Sequence, residues 1–241
     1  MKTTTKWLRG LSISSLCIGL AACGGSNNND DPTSPVTQDF RIDVVNLTAA
    51  QPFSPVAVIA HDGNYSLFTV GQPATEGLEL MAEGGDNSDL LLEASINSGV
   101  LTSTSDSGPT PPGGSTSLTV TVEEQAAGNL HIVATTMLVN TNDAFTALNN
   151  FNAANMAVGD SRTANTIGYD SGTEANSEAP GTIPGPADGG EGFNAARDDI
   201  ADEVRMHSGV LTVDGGLSRS VLTEIHRWDN PVARITVTRV R

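Results

Sequence analysis

The chain has 241 residues, 28 of them acidic and 12 basic, and its formal charge of −16 opposes binding to nucleic acid or anionic lipid and favours cations. Its two cysteines, Cys17 and Cys23, both lie near the N-terminus, so the bulk of the chain cannot be a disulfide-built scaffold. Aromatic residues make up only 4%, which argues against the aromatic platforms on which sugar-cleaving enzymes hold their substrates.

Lys2, Lys6 and Arg9 form a positive leading region, and Leu11 to Leu20 a short apolar one, too brief to span a bilayer as a mature helix. Leu20-Ala21-Ala22-Cys23 closes the segment and resembles the lipobox of bacterial lipoproteins. That resemblance implies cleavage after Ala22 and acylation of Cys23, and several acyl chains give stable anchoring where one is marginal. The alternative is an ordinary secretory cut that leaves Cys23 as a free thiol. Loss of the three basic residues takes the formal charge from −16 to −19. Gly24 after the cysteine is similar to the sorting pattern for the outer membrane. Residues 1–22 are thus expected to be signal, and 23–38, rich in Gly, Ser, Asn, Asp and Pro, a disordered tether. Residues 39–241 are expected to form one domain.

Phe40, Ile42 and Val44 alternate with Arg41 and Asp43, as in a half-buried strand. A second strand is expected over Val56 to Ala60, after a Pro-punctuated crossover at Gln51 to Pro55, and His61-Asp62-Gly63-Asn64 ends it in turn chemistry. Thr75 to Ala82 has helical spacing, with Leu78, Met81 and Ala82 on one face, Thr75 as cap and Gly84-Gly85 as stop. Ser88 to Ala94 reads as a second short helix capped by Ser88, and the pair are expected to cover an open end of a sandwich. Ser117 to Val122 alternates Leu118, Val120 and Val122 against threonine, and is expected to form a hairpin with Leu130 to Leu138.

His131 to Phe151 carries most of the chemistry. Both faces of its strand are apolar or threonine, as in a strand covered on both sides. Asn140, Thr141, Asn142 and Asp143 then supply side-chain oxygens beside a turn, which either caps its own backbone or holds a hard cation. The long loop Ser171 to Asn194 lies just past a second acidic segment; it is mobile or functional. Its Gly189-Gly190-Glu191-Gly192 lacks the lysine of a phosphate loop. His207 beside Ser208 is no catalytic pair, because adjacent strand residues face opposite ways.

Met137-Leu138-Val139-Asn140-Thr141-Asn142-Asp143-Ala144-Phe145, Tyr169-Asp170-Ser171-Gly172-Thr173-Glu174 and Asn230-Pro231-Val232-Ala233-Arg234-Ile235-Thr236-Val237 resemble, in that order, a strand-and-turn, a Gly-Thr loop and a closing strand of the spondin N-terminal domain family. Gln51 to Pro55, His61 to Gly63 and Gly71 to Ala74 are similar to bacterial members. The resemblance implies an all-β fold, an antiparallel β-sandwich with short helices in its connections, and a calcium-binding adhesion module. It carries the metal positions onto Asp143, Asn149, Asp170 and Glu174. Asn149 and Glu174 stand where the family has aspartate, and Ala144 where it has tryptophan. Three carboxylates and an amide suit calcium, which takes six to eight oxygens. If they converge without a cation, at least one must protonate or swing away. Alternatively Asp143 is a cap and Glu174 is solvated.

The reading that follows is a lipid-anchored binding or adhesion module of the cell envelope, at the outer membrane, with calcium as cofactor. Its partner would be a matrix, glycan or surface-protein ligand, and the module is not an enzyme. The alternatives are an envelope hydrolase using Asp170 with Glu174 or Glu191, and a structural lipoprotein without metal.

Overall fold

Alternation builds the first sheet. β1 (Thr37–Asn46) turns Phe40, Ile42 and Val44 inward. β4 (Ser115–Glu123) does the same with Leu118, Val120 and Val122, and β10 (Ala233–Arg239) with Ile235 and Val237. With β7 (Ser161–Thr166) they form an antiparallel sheet in the order β4-β1-β10-β7. The computed structural model describes residues 35–197 and 201–241; the signal, Cys23 and the tether up to Ser34 lie outside the described residues.

The second sheet runs β3 (Val100–Ser105), β2 (Ala57–His61), β5 (His131–Met137), β6 (Ala144–Asn152), β8 (Gly168–Asp170), β9 (Arg205–Met206), all antiparallel. β2 is buried throughout and β5 from Ile132 onward, because this sheet is covered on both faces. Val58, Ala60, Ile132 and Ala134 join the inward residues of the first sheet in one core. Ile59, Val133, Met137 and Phe145 point the other way, into a second core roofed by two helices. Each such side chain contributes about 1.5–3 kcal/mol by leaving water, so the apolar pattern alone commits the chain to a sandwich with a third, helical layer.

The first helix, α1 (Glu76–Gly84), starts and stops where its sequence signals stand. The Thr75 side chain accepts the Leu78 N–H at 3.3 Å, and Gly85 ends the helix at φ 75°. A Cβ on Gly85 would stand 2.9 Å from Ser54 Cβ, so glycine is required there twice over. Thr75→Ala is expected to cost about 1 kcal/mol, read as a lower urea midpoint at unchanged slope. A loss below a few tenths would mean that the cap is not what starts the helix.

Four expectations need correction. In α2 (Ser88–Ser95) the capping oxygen is Asp86 Oδ1, which accepts the Ser88 N–H at 2.9 Å; Ser88 is already inside the helix. The helices cover a face of the six-stranded sheet instead of an open end, since Leu78, Met81, Ala82, Leu90 and Ala94 pack on Ile59, Val133 and Met137. β4 and β5 are not a hairpin. β4 is one-sided and pairs with β1, β5 is two-sided and lies between β2 and β6, and a 3-10 turn at Glu124–Asn129 carries the chain from one layer to the other. Finally, Thr37 and Gln38, assigned to the tether, pair with Glu123 and Val122 as the first residues of β1.

Candidate metal centre

The turn before β6, the end of β8 and the residue after β9 meet at one side of the six-stranded sheet. Register does this: Ala144 lies opposite Asp170, and Asp170 opposite Arg205. Asp143, Asp170 and His207 each bring one atom within 4.8 Å of the others, and all three are buried.

The Asn-Thr-Asn-Asp turn spends most of its oxygens on backbone. Thr141 Oγ1 donates to the Leu138 carbonyl and accepts the Ala144 N–H, closing the turn on itself. Asn140 Oδ1 accepts the Ala187 N–H at 2.9 Å, and Asn142 donates to the Ala175 carbonyl at 2.8 Å, so both hold the long loop. Asp143 Oδ2 accepts from the Ser171 hydroxyl at 3.2 Å and the Glu174 N–H at 3.3 Å. Asp143 Oδ1 is buried and has no hydrogen-bond partner. The turn therefore caps its own backbone and still presents one bare carboxylate oxygen.

Around that oxygen the charge is acidic. Burial, followed by the nearby Asp170 carboxylate, pushes Asp143 up to about 7. Asp170 accepts from the Gly172 N–H at 2.8 Å and Asn176 Nδ2 at 2.6 Å and pairs with Arg205 at 3.2 Å. Glu174 touches Arg197, and burial first, the nearby Glu83 second, push it up to about 8. Glu83 is 1% exposed at the end of α1 and also accepts the Asn194 N–H. Buried carboxyl groups beside other acids hold their protons to higher pH, so without a cation Asp143 and Glu174 carry protons into the neutral range. Gly172, at φ 80°, keeps the loop tight: a side chain there would run into the Glu203 backbone.

His207 is not an available ligand. Its Nδ1 accepts the Gly209 N–H at 2.8 Å, which leaves the proton on Nε2, 3.1 Å from Asn176 Oδ1. Burial lowers its pKa below 6.5, so the ring is a neutral prop for Asn176, and through it for Asp170. What remains open to a metal is oxygen, which suits calcium or another hard cation better than zinc or copper.

Of the four positions carried over from the sequence, Asp143 and Asp170 come together, Glu174 meets Asp143 only through its backbone N–H while its carboxylate lies against Arg197 and Glu83, and Asn149 stands apart. Asn149 lies six residues beyond Asp143 along β6, about 20 Å at 3.3 Å per residue. Its side chain accepts the Leu67 N–H at 3.2 Å and donates to the Phe68 carbonyl at 3.0 Å. It fastens a loop. Glu83, Arg197, Arg205 and His207 are the residues that sequence reasoning missed. Glu83 alone left a trace, as an acid in the last turn of a helix, where the dipole disfavours it.

The family model described as Spondin_N matches residues 44–180, more than half of the chain and a span that holds all four carried-over positions. The chain belongs to the spondin N-terminal family. No curated protein matches it. Within this spondin domain the matched span ends short of Arg197, Arg205 and His207, so part of the bracing of the acidic cluster comes from the stretch beyond it. The long loop after β8 is also built rather than loose. Glu178 accepts the Leu211 and Thr212 N–H groups, Asp188 accepts that of Gly181, and Ile183 packs with Val210 and Leu222.

Proposed function

We propose that this chain is a lipid-anchored binding module of spondin type, tethered to the cell envelope, at the outer membrane, through Cys23. Its loops are held by a calcium ion on Asp143 and Asp170, with Glu174 joining as its proton leaves. The observation that carries the reading is the bare, buried Asp143 Oδ1 beside Asp170. A buried carboxylate oxygen without a partner costs several kcal/mol unless it is protonated or meets a cation, and a divalent ion would also offset the repulsion among the acids. Bound there, the ion would supply charge neutralisation and cross-link the β5–β6 turn to the loop after β8.

Thermal unfolding of the full chain in calcium and in chelator tests this. Binding only to the folded state at a concentration a hundredfold above Kd adds about 2.7 kcal/mol. For a domain of this size that is a rise of roughly 5–10 °C. Magnesium, which demands a tighter octahedron, should shift it less. An identical midpoint with millimolar calcium and with chelator would remove the metal from the proposal.

A further inference from the structure

Beside the long loop, an apolar pocket of about 410 Å³ is walled by Pro52, Pro109, Pro111, Pro184, Pro186 and Val139. Five pyrrolidine rings present no N–H donors and hold their backbone at fixed φ. The wall is therefore dry and already rigid, so little ordering entropy is lost when something fills it. At Gly84 this pocket adjoins a second one of about 340 Å³, whose lining includes Asp86 and Asp106. Among the described residues neither aspartate takes part in an ion pair. The Ser88 N–H keeps the Asp86 carboxyl below its ordinary range, and Asp106 accepts from the Ser107 N–H and the Thr116 hydroxyl. A hydrophobic slot thus opens beside two carboxylates that lack counter-cations, on a chain with a formal charge of −16.

We infer that the joined pockets form the binding groove for an extended segment of a partner protein that carries an aromatic or large aliphatic side chain two residues from a lysine or arginine. In an extended chain residues i and i+2 face the same way, about 6.5–7 Å apart, which lets one side chain enter the proline-walled slot while the next on that face reaches the aspartates. The slot's volume lies within the range of ordinary ligand pockets. The two aspartates select against an acidic neighbour, since like charges brought together are penalised. This names the partner class for the binding module proposed above and rests on that reading, though on none of its metal ligands. Pro184 and Pro186 belong to the loop that Asn140 holds through the Ala187 N–H, so one half of the groove is set by the same turn that carries Asp143.

The test uses three fluorescein-labelled peptides, Gly-Phe-Ser-Arg-Gly, Gly-Phe-Ser-Glu-Gly and Gly-Ser-Ser-Arg-Gly, titrated with the full chain and followed by anisotropy. The first is expected to saturate, and the other two to bind at least tenfold more weakly. Pro186→Asp is expected to lower affinity for the first peptide at least tenfold. The double change Asp86→Lys and Asp106→Lys is expected to transfer the preference to the glutamate peptide. If Pro186→Asp unfolds at a lower temperature than the parent, Pro109→Asp on the opposite wall, which is exposed, replaces it. Equal binding of all three peptides, no binding of the first, or an affinity indifferent to these substitutions overturns the groove. A calcium-dependent rise in midpoint that survives in the same samples shows that the groove has failed and the metal reading has not.

Discussion

With asparagine in place of Asp143, the chain in chelator at pH 8 is expected to be more stable than the parent and to gain nothing from calcium. An amide oxygen can keep the bonds from the Ser171 hydroxyl and the Glu174 N–H, while the amide nitrogen takes the position of the bare Oδ1 and faces Asp170 with donors instead of charge. The size follows from linkage. Asp143 is raised from 3.8 to about 7, and at about 1.4 kcal/mol per pKa unit the unbound fold forfeits on the order of 4 kcal/mol above that pH. Glu174, raised to about 8, acts in the same direction. A folded state that binds more protons than the unfolded chain loses stability as pH rises. His61, lowered to about 4 by burial, and His207, lowered likewise, work the opposite way, but only below their unfolded value near 6.5. The window in which the carboxyl groups act alone is therefore about pH 6.5 to 8. There the parent's urea midpoint in chelator should fall with pH, and Asp143→Asn should remove about a third of that fall, the rest belonging to Glu174, whose proton leaves at higher pH. Calcium should flatten it in the parent too. A slope unchanged by the substitution would show that Asp143 does not hold the proton.

Phe145→Ala is expected to cost about 3–5 kcal/mol, the range for a fully buried ring replaced by a methyl group, and to lower the thermal midpoint by roughly ten degrees. Phe145 is 0% exposed, stacks on Tyr169 at 5.5 Å and meets the edge of Phe68 at 5.3 Å. Tyr169 precedes Asp170 and Phe145 lies two residues after Asp143, so the aromatic stack clamps together the two strands that carry the carboxylates. The calcium increment should shrink along with stability. A loss below about 1 kcal/mol, or a full calcium increment in the variant, would mean that the strands keep their register without the ring.

The sandwich was legible in the chain because alternation is a local property. Phe40, Ile42 and Val44 declare an inward face from any starting point, as do Thr75 and Gly85 a helix's two ends. Pairing is not local. Nothing in Leu118 to Val122 says that its partner is β1, seventy-odd residues back, rather than β5 just ahead; the two-sided burial of β5 was the available hint, since a strand covered on both faces belongs in the middle of a sheet. The same division runs through the metal centre. Asp143, Asp170 and Glu174 were readable from motif and donor chemistry. Asn149 fitted the donor chemistry equally well, yet its position inside β6 points it at Leu67 and Phe68. Glu83 at the end of α1, Arg197 in the long loop, and Arg205 and His207 at β9 reach the cluster from three places in the chain, with no common spacing by which to be found.

The pairing of β1 with β10 bears on how the molecule is made. The first strand of the domain hydrogen-bonds along Phe40 to Asn46 with the last, Arg239 to Ala233, and β10 is also the sole link between β1 and β7 in that sheet. Contacts that distant in sequence make folding slow, because a loop of nearly two hundred residues must close before they form. During synthesis the four-stranded layer cannot be completed until β10 has left the ribosome. The nascent chain thus keeps one core open until that strand has emerged, however early the six-stranded layer forms.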